Sequence, residues 1–238
     1  MAAGGSDDGP RGLAAEQDAF LRSVTHDLRT PLAAIRAIVT DLHDGPPRDQ
    51  ATTSELLQTV CDEVDRLDRL VGNLLRMSAI ESGALRPEPQ AIDVGELVEH
   101  RLKVLSPLLR DHVVVMDVTD DCPLADADYG QMDEVLTNLL GNAVRHAPDG
   151  TTITVSAAAA PDDGRVEIAV ADHGPGIPAD VRGTLRQPFE RGAGSRSTGL
   201  GLAVCDAIVA AHGGTLTIGD TDGGGATISF TVPAVTAP

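Results

Sequence analysis

DEVLTNLLGNAVRH, residues 133–146, has leucine and valine at the spacing of a helix that is buried along one side. Within it Asn138 and Asn142 stand four residues apart, so both amides project from one face of the helix. Asparagine is a poor helix former, and two on one face of an apolar helix indicate a ligand. Their side-chain oxygens suit Mg²⁺ or its water shell, and Arg145 can reach a phosphate. The alternative is a pair of buried structural amides.

Two glycine-rich turns follow this helix along the chain. In VADHGPGI (170–177) a strand runs into a turn at Asp172, whose carboxylate can accept a hydrogen bond from an exocyclic amine. Gly174 and Gly176 allow a close approach of the backbone. STGLGL (197–202) opens a helix, where backbone N–H groups and the helix dipole favour phosphate. Taken alone, either motif is better explained as an ordinary tight turn or helix start than as a ligand site. The sequence contains no Gly-x-x-x-x-Gly-Lys-[Ser/Thr] loop.

The segments around these motifs predict a sheet that is covered by helices on one face, and hence an α+β domain. Alternating apolar residues indicate the strands, and apolar residues spaced by threes and fours indicate the helices. The expected strands are 92–94, 113–118, 152–158, 166–171, 215–218 and 227–232, and the expected helices are 96–109, 129–146 and 200–211.

The first third of the chain has a different pattern, that of two long helices. Each helix has one narrow apolar seam, and Asp44-Gly45-Pro46-Pro47 separates the two. A helical hairpin with so narrow a seam and few aromatic residues is too small to be stable alone. We therefore infer a homodimer in which two hairpins form a four-helix bundle. The seam positions are Leu21, Val24, Leu28, Leu32, Ile35, Val39 and Leu42 in the first helix and Val60, Val64, Leu67, Val71 and Leu74 in the second.

The first of these helices carries SVTHDLRTPL, residues 23–32. His26 lies about 200° around the helix from the seam residues on either side of it and therefore faces solvent. Pro31 removes one backbone hydrogen bond and bends the helix one turn later. On its own, an exposed histidine beside an acid such as Asp27 is more often an ordinary surface pair than a functional one.

Composition excludes several classes of function. The net charge of −18 argues against nucleic acid or an anionic membrane surface as partner. No apolar run reaches the roughly 18 residues of a spanning helix. The three scattered cysteines lack metal-ligand spacing and suit a reducing cytosol, so we expect a cytoplasmic chain. One basic cluster could meet an anionic ligand, although taken alone it is more typical of a solvated loop face. Its members are Arg182, Arg186, Arg191 and Arg196.

Taken together and in order, these motifs resemble those of the sensor histidine kinases. The resemblance covers residues 20–233, and its specificity comes from the ordered set, because each motif alone is short. The matching segments are HDLRTPL (26–32, phosphoacceptor box), DEVLTNLLGNAVRH (133–146, N box), DHGPG (172–176, first glycine box), QPFER (187–191, phenylalanine box), GLGL (199–202, second glycine box) and Gly223-Gly224-Gly225 running into Phe230 (closing hairpin).

The resemblance implies a domain organisation. A dimerising phosphotransfer bundle would be followed by an α/β sandwich that binds ATP. The corresponding segments are residues 1–15 for a flexible lead-in, 16–84 for dimerisation and phosphotransfer, 85–91 for a linker and 92–238 for ATP binding.

The resemblance also implies a role for the residues of the phosphoacceptor box. His26 would accept the γ-phosphoryl group of Mg-ATP, Asp27 would take the imidazole proton, and the group would pass to an aspartate of a response-regulator receiver domain. Thr30 lies one turn after His26 on the same face. Its hydroxyl would orient water against the acyl phosphate of the receiver, giving phosphatase activity. The alternative is a bond from Thr30 to a backbone carbonyl.

In the implied nucleotide site, Asn138 and Asn142 would hold Mg²⁺ and the phosphates with help from Arg145, and Asn142 would be the metal ligand. Asp172 would accept from the adenine amino group. Phe189 would anchor a lid over residues 187–198. The expected nucleotide contacts are Asn138, Asn142, Arg145, His146, Asp172, Gly174, Gly176, Phe189, Thr198, Gly199, Leu200 and Gly201.

The sequence departs from the family pattern at three positions. His146 stands where the family often has tyrosine or phenylalanine, Leu185 stands where the first of two phenylalanines is usual, and Ser197 replaces a glycine. None of the three removes a catalytic group. Within the family, LSPLL at 105–109 and the His-Val pair at 112–113 are similar to potassium-responsive Kdp-type sensor kinases.

A second class of function remains as the alternative, a nucleotide-binding regulatory scaffold that dimerises and binds partners without phosphorylating itself. The intact His26, Asn142 and Asp172 favour the enzyme. A membrane or sensory domain would belong to segments upstream of this sequence. The chain is accordingly either the cytoplasmic core of a membrane-bound bacterial kinase or a complete soluble kinase.

Overall fold

The computed structural model of the chain describes residues 9–83, 86–161, 164–186 and 200–235. It forms two compact units that divide between Leu74 and Leu75. The first unit is helical, and the second contains all the strands of the described ranges. The predicted α+β class, with two long helices ahead of a sheet, is confirmed.

The helical unit consists of α1 (Gly9–Asp44) and most of α2 (Gln50–Glu81). The two helices are separated by the short glycine- and proline-containing segment that the sequence predicts. Arg48 closes this turn, because its guanidinium donates to both carboxylate oxygens of Asp41 at 2.7 Å. Asp49 accepts the backbone N–H three residues further on at 2.8 Å, a bond that lowers the pKa of its carboxyl. This side-chain cap sets the start of α2.

The second unit is built around a five-stranded sheet with the strand order β2-β4-β5-β7-β6. β2 runs parallel to β4, and the other neighbours are antiparallel. β1 and β3 form a separate antiparallel pair. The elements are β1 (Gln90–Ile92), α3 (Val94–Val104), α4 (Ser106–Leu109), β2 (Val113–Val118), β3 (Ala125–Ala127), α5 (Tyr129–His146), β4 (Thr152–Ala159), β5 (Arg165–Ala171), α6 (Ala179–Arg182), a 3₁₀ turn (Thr184–Arg186), α7 (Gly201–Ala211), β6 (Leu216–Asp220) and β7 (Ala226–Pro233).

One face of this sheet forms the core of the second unit. Residues alternate between buried and half-buried along β4 and β5, with Ile153 and Val155 fully buried in β4. The helices α3, α5 and α7 contact the sheet and bury side chains such as Leu136, Leu139 and Val204. Burial of each large aliphatic side chain stabilises the fold by about 2 kcal/mol. The core therefore holds α5 and α7, which carry several of the predicted site residues, against the sheet.

Asp128 joins three segments at the start of α5. Its carboxylate accepts the N–H of Gln131 at 3.1 Å and the N–H of Glu88 at 3.0 Å. Its own N–H donates to Nε2 of the buried His212 at 3.0 Å. Burial opposes ionisation of the Asp128 carboxyl, but the backbone N–H groups that it accepts outweigh that effect and lower its pKa. Asp128 thus caps α5 and ties it to the end of α7.

Two predicted elements differ from the structure for identifiable reasons. The single helix expected over 96–109 is two helices that divide at Leu105, because Pro107 lacks the N–H that would continue the helical bonding. The strand expected at 92–94 ends at Ile92. Asp93 accepts the N–H of Glu96 at 3.1 Å and thereby caps α3, which begins at Val94.

None of the helices in the described residues combines the length and the apolar character needed to cross a bilayer.

Candidate functional site

The predicted phosphoacceptor lies on the surface of α1. The side chain of His26 is 76% exposed, as the helical spacing predicts, whereas that of Asp27 is only 4% exposed. Nδ1 of His26 lies 3.2 Å from Oδ1 of Asp27. An ionised carboxylate only accepts hydrogen bonds, so Nδ1 carries the proton and Nε2 keeps its lone pair. Adjacent helical residues do not usually face each other, and the sequence could not show this contact.

Thr30 and Pro31 follow one turn later on the same helix. Oγ1 of Thr30 donates to the carbonyl oxygen of His26 at 3.2 Å, which is the backbone bond that the sequence offered as the alternative. Pro31 lies inside α1 and removes the N–H that would bond the carbonyl of Asp27. The exposed Thr30 hydroxyl still has acceptor capacity in this geometry.

In the second unit, Asn138 faces the start of α7. A Cβ on Gly201, the first residue of α7, would lie 3.6 Å from Oδ1 of Asn138. The Asn138 amide also bonds the thiol of Cys205. Complete burial, with a smaller contribution from Asp206, raises the pKa of that thiol to about 12 despite the Asn138 bond. Asn138 therefore has a structural contact, and a ligand role for it stays a prediction.

Asn142 and Arg145 meet one turn further along α5. The Arg145 guanidinium donates to Oδ1 of Asn142 at 3.2 Å. Asn142 is half-buried and Arg145 is exposed. A cation and an amide oxygen are thus held side by side where the sequence predicts contacts to phosphate and metal.

The Asp172 carboxylate lies just beyond the end of β5 and is 8% exposed. Its Oδ1 accepts the N–H of Gly174 at 2.7 Å and the N–H of Ala226 at 3.4 Å. The Asp172 N–H donates to the carbonyl of Ala226 at 2.9 Å. Main-chain groups of the turn and of β7 therefore fix the orientation of this carboxylate.

The turn after Asp172 requires its glycines. A Cβ on Gly174 would lie 2.8 Å from the carbonyl oxygen of His146, closer than real contacts allow. Gly176 has a φ of +75°, in the left-handed region that favours glycine. The structure thus brings His146, Asp172 and both predicted glycines together at one end of α5.

His146 is neutral at pH 7 in this setting. Partial desolvation, together with the positive charge of Arg145, lowers the pKa of its imidazole, and the nearby Asp172 carboxylate opposes the shift only in part. A neutral imidazole offers one donor and one acceptor. It can therefore contact a nucleotide without adding charge, in place of the aromatic ring that is usual there in the family that the sequence resembles.

The remaining predicted contacts divide into two groups. Leu200 is fully buried at the start of α7, and Gly201 begins that helix. Phe189, Thr198 and Gly199 lie outside the described residues, as do the predicted lid and two members of the arginine cluster, Arg191 and Arg196.

Arg182 is the member of that cluster whose side chain the structure describes, and it has a structural contact that the sequence analysis missed. It donates to the carbonyl of Ile177 at 2.8 Å and forms an ion pair with Asp220. Gly225 and Ala226, which pack on Asp172, were also missed as site residues. Three consecutive glycines at 223–225 were the sequence signal that could have found them.

Comparison with known proteins matches both units to families. Residues 127–236 match the histidine kinase-, DNA gyrase B-, and HSP90-like ATPase family. Residues 16–83 match the His Kinase A (phospho-acceptor) domain. The architecture and the two matches define a phosphoacceptor domain followed by an ATPase domain.

Individual relatives have the same arrangement. Sensor protein KdpD of Mycobacterium tuberculosis (strain CDC 1551 / Oshkosh) is 38% identical over 90% of this chain and 26% of its own length. Among solved structures, the Acinetobacter baumannii histidine kinase AdeS is 27% identical with a TM-score of 0.70, over 89% of this chain and 98% of that one. Full-length ShkA in complex with AMPPNP is 29% identical with a TM-score of 0.67, over 93% of this chain and 46% of that one.

The chain belongs to the sensor histidine kinases. It spans about a quarter of the length of the KdpD protein that it matches.

Proposed function

We propose that this chain is the catalytic core of a two-component kinase that transfers the γ-phosphoryl group of ATP to His26 and then to an aspartate of a response regulator. The observation that carries the proposal is the exposed imidazole of His26, whose Nδ1 is bonded to the nearly buried carboxylate of Asp27. This arrangement leaves Nε2 as the nucleophile. An exposed nucleophile suits a reaction in which an ATP-binding domain and a receiver domain must reach it in turn.

The first step follows from this geometry. The lone pair of Nε2 attacks the γ-phosphorus in line, the bond from that phosphorus to the β–γ bridging oxygen breaks, and ADP leaves with the electron pair. Phosphorylation makes the imidazole cationic, and the Nδ1 proton can then pass to the Asp27 carboxylate, 3.2 Å away. The neutral phosphoimidazole retains the phosphoryl group until the receiver carboxylate attacks it.

ATP would bind in the second unit. Asp172 would accept a hydrogen bond from the adenine 6-amino group, and Arg145 would contact the phosphates. The family match over residues 127–236 and the AMPPNP bound to the related ShkA support a nucleotide at this place.

The side chains of this region fit Mg²⁺ in the way that it usually binds nucleotides. Among the residues that the structure describes, no three histidine, cysteine, aspartate or glutamate side chains group as a protein cage would. Mg²⁺ more often takes one or two protein oxygens together with substrate phosphates and water, and Oδ1 of Asn142 is an oxygen of this kind. Bound there, Mg²⁺ would neutralise phosphate charge.

A homodimer would complete the helical unit. Four of the predicted seam residues, Leu32, Val39, Val64 and Val71, remain 42–54% exposed in the single chain. Pairing with a second hairpin would bury them, as the narrow seam predicts. Because about half of each side chain is already out of water, burying the rest stabilises the pair by about 1 kcal/mol per side chain.

The test is incubation of the chain with γ-labelled ATP and Mg²⁺. We expect label that survives alkali and is lost in mild acid, as the P–N bond of phosphohistidine requires. His26→Gln abolishes the label but leaves nucleotide affinity within about twofold, because acceptor and nucleotide residues lie in different units. Acid-stable label, or no label from a folded dimer that binds ATP, would instead support the regulatory scaffold.

A further inference from the structure

We propose that the glycine hairpin Gly223–Gly225, between β6 and β7, sets the position of Asp172 and thereby the preference of the site for adenine over a purine without the 6-amino group. This inference rests on the proposed function, because it assigns the selectivity of the same nucleotide site. It adds the hairpin as a positioning element that does not itself touch the nucleotide.

Gly225 lies directly against the backbone that carries Asp172. A Cβ on Gly225 would lie 1.9 Å from the carbonyl oxygen of Asp172 and 2.8 Å from Cα of His173. Both neighbouring atoms belong to the main chain, so no side chain can rotate away to make room. Any residue other than glycine at 225 must therefore displace either the hairpin or the Asp172 turn.

The displacement would reach the Asp172 carboxylate through the next residue. Ala226 accepts the Asp172 N–H at 2.9 Å, and its own N–H donates to Oδ1 of Asp172 at 3.4 Å. The Ala226 N–H, one of the backbone groups that donate to Oδ1, is thus covalently joined to Gly225. A movement of the hairpin changes the carboxylate orientation even if the strands stay paired.

Two further contacts tie the hairpin to the glycine turn after Asp172. A Cβ on Gly176 would lie 3.1 Å from the carbonyl oxygen of Gly225, so the two turns are in close contact. Arg182 donates to the carbonyl of Ile177 at 2.8 Å and pairs with Asp220 at the end of β6. The hairpin and the Asp172 turn therefore move together.

Gly223 provides a matched control within the same hairpin. It has a φ of +87°, and Gly225 has a φ of +118°, so alanine is strained at both positions. Within the described part of the chain, no atom lies within 4 Å of a Cβ built on Gly223. Gly223→Ala therefore carries the backbone strain without the collision with Asp172. The two variants thus differ in the contact with the Asp172 backbone.

A shift of the Asp172 carboxylate should weaken the binding of ATP more than that of a purine nucleotide without the 6-amino group. A hydrogen bond to an amine weakens steeply once donor and acceptor separate beyond about 3.5 Å. A ligand without the 6-amino group never makes that bond and should be insensitive to a small shift of the carboxylate. General damage to the site would weaken both ligands to the same extent.

The experiment measures dissociation constants of ATP and of purine riboside triphosphate on the full 238-residue chain. We expect the wild type to prefer ATP by about tenfold or more, as a hydrogen bond to a charged group allows. In Gly225→Ala the preference should fall to within about twofold of unity, with affinity for purine riboside triphosphate nearly unchanged, whereas Gly223→Ala should keep the wild-type preference.

The outcomes separate this inference from the proposed function. A wild type without preference for ATP would refute the adenine contact of Asp172 and the inference with it. A wild-type preference that Asp172→Ala abolishes, but that Gly225→Ala leaves intact or Gly223→Ala equally removes, would overturn the hairpin role alone.

A milder variant keeps the inference testable if Gly225→Ala does not fold. Asp220 is 73% exposed, so Asp220→Asn should fold normally while releasing the pairing with Arg182. It should lower the ATP preference by about twofold, as loss of one partly exposed ion pair permits. An unchanged preference in Asp220→Asn would then overturn the proposal.

Discussion

Replacing Asp27 by asparagine tests the proposed chemistry of His26 most directly. Asparagine keeps an oxygen that can accept the Nδ1–H bond at the same 3.2 Å, but it is neutral and a poor proton acceptor. The substitution therefore preserves the orientation of the imidazole and removes the charge that receives its proton. Any loss of rate therefore measures the loss of the charge that receives the imidazole proton.

The size of the effect follows from the distance and the exposure. Opposite unit charges about 4 Å apart attract by about 4 kcal/mol at an effective dielectric constant of 20. Because the imidazole is 76% exposed, water screens much of this attraction. We therefore expect an effect at the lower end of the 10²- to 10⁴-fold that is typical of general acid–base catalysis, about a hundredfold in rate.

The assay is the initial rate of acid-labile phosphohistidine formation at saturating Mg-ATP. Asp27→Asn should be about a hundredfold slower, with the dissociation constant of ATP within about twofold of wild type. Glu55→Gln, which removes one charge from an exposed position on α2, serves as the control and should change the rate less than twofold by long-range effects.

An Asp27→Asn rate within about threefold of wild type would refute the base role. If Asp27→Ala were then about a hundredfold slower, Asp27 would only orient the imidazole.

Four further predictions concern other parts of the molecule. Asn142→Ala should weaken Mg-ATP binding about tenfold. In a mixed dimer, the wild-type chain should still label His26 of the Asn142→Ala chain if transfer runs between subunits. Electrophoresis that resolves the two chains would show which one carries the label. Thr30→Ala should leave self-phosphorylation within about twofold but prolong the lifetime of the phosphorylated receiver, and unchanged receiver decay would leave Thr30 with its carbonyl bond alone. Val64→Lys, at an exposed seam position, should shift the chain to monomer by light scattering, while an unaltered dimer mass would place the interface elsewhere. Asp128→Ala should lower the free energy of unfolding by about 1–2 kcal/mol at pH 7. Because folding lowers the pKa of Asp128 from its usual 3.8, this contribution is present above pH 3.8 and is lost as the pH falls through the lower folded pKa, which denaturant titrations at pH 7 and at pH 2–3 would reveal.

Elements with local signals were predicted well from the sequence. The helix expected over 129–146 has the observed bounds of α5, because its Asp128 cap and the following Pro148 mark both ends and its apolar spacing is regular. The strand at 113–118 also agrees, since valine dominates it. These signals lie in residues that are close together in the sequence, so they can be recognised without knowing the fold.

Elements that depend on distant partners were not predicted. The strand Ala125–Ala127 exists because it pairs with Gln90–Ile92, and short alanine-rich segments have no strand signal of their own. The contact between Asn138 and Cys205 likewise joins two helices that are far apart in sequence. The sequence motif identified Asn138 as a candidate site residue, but only the folded structure shows which residues it contacts.

The same distinction separates the two parts of the proposed reaction. The contact that orients the His26 imidazole joins two adjacent residues of one motif. The motif names both residues, but the side-chain rotamers decide whether the Asp27 carboxylate reaches Nδ1. The carboxylate of Asp172 is held instead by Gly174 within its own turn and by Ala226, 54 residues away. Substitutions at the distant hairpin can therefore alter nucleotide selectivity while both motifs remain intact. A chain in which the motifs around His26 and Asp172 are both intact can thus still differ from its relatives in the nucleotide that it prefers.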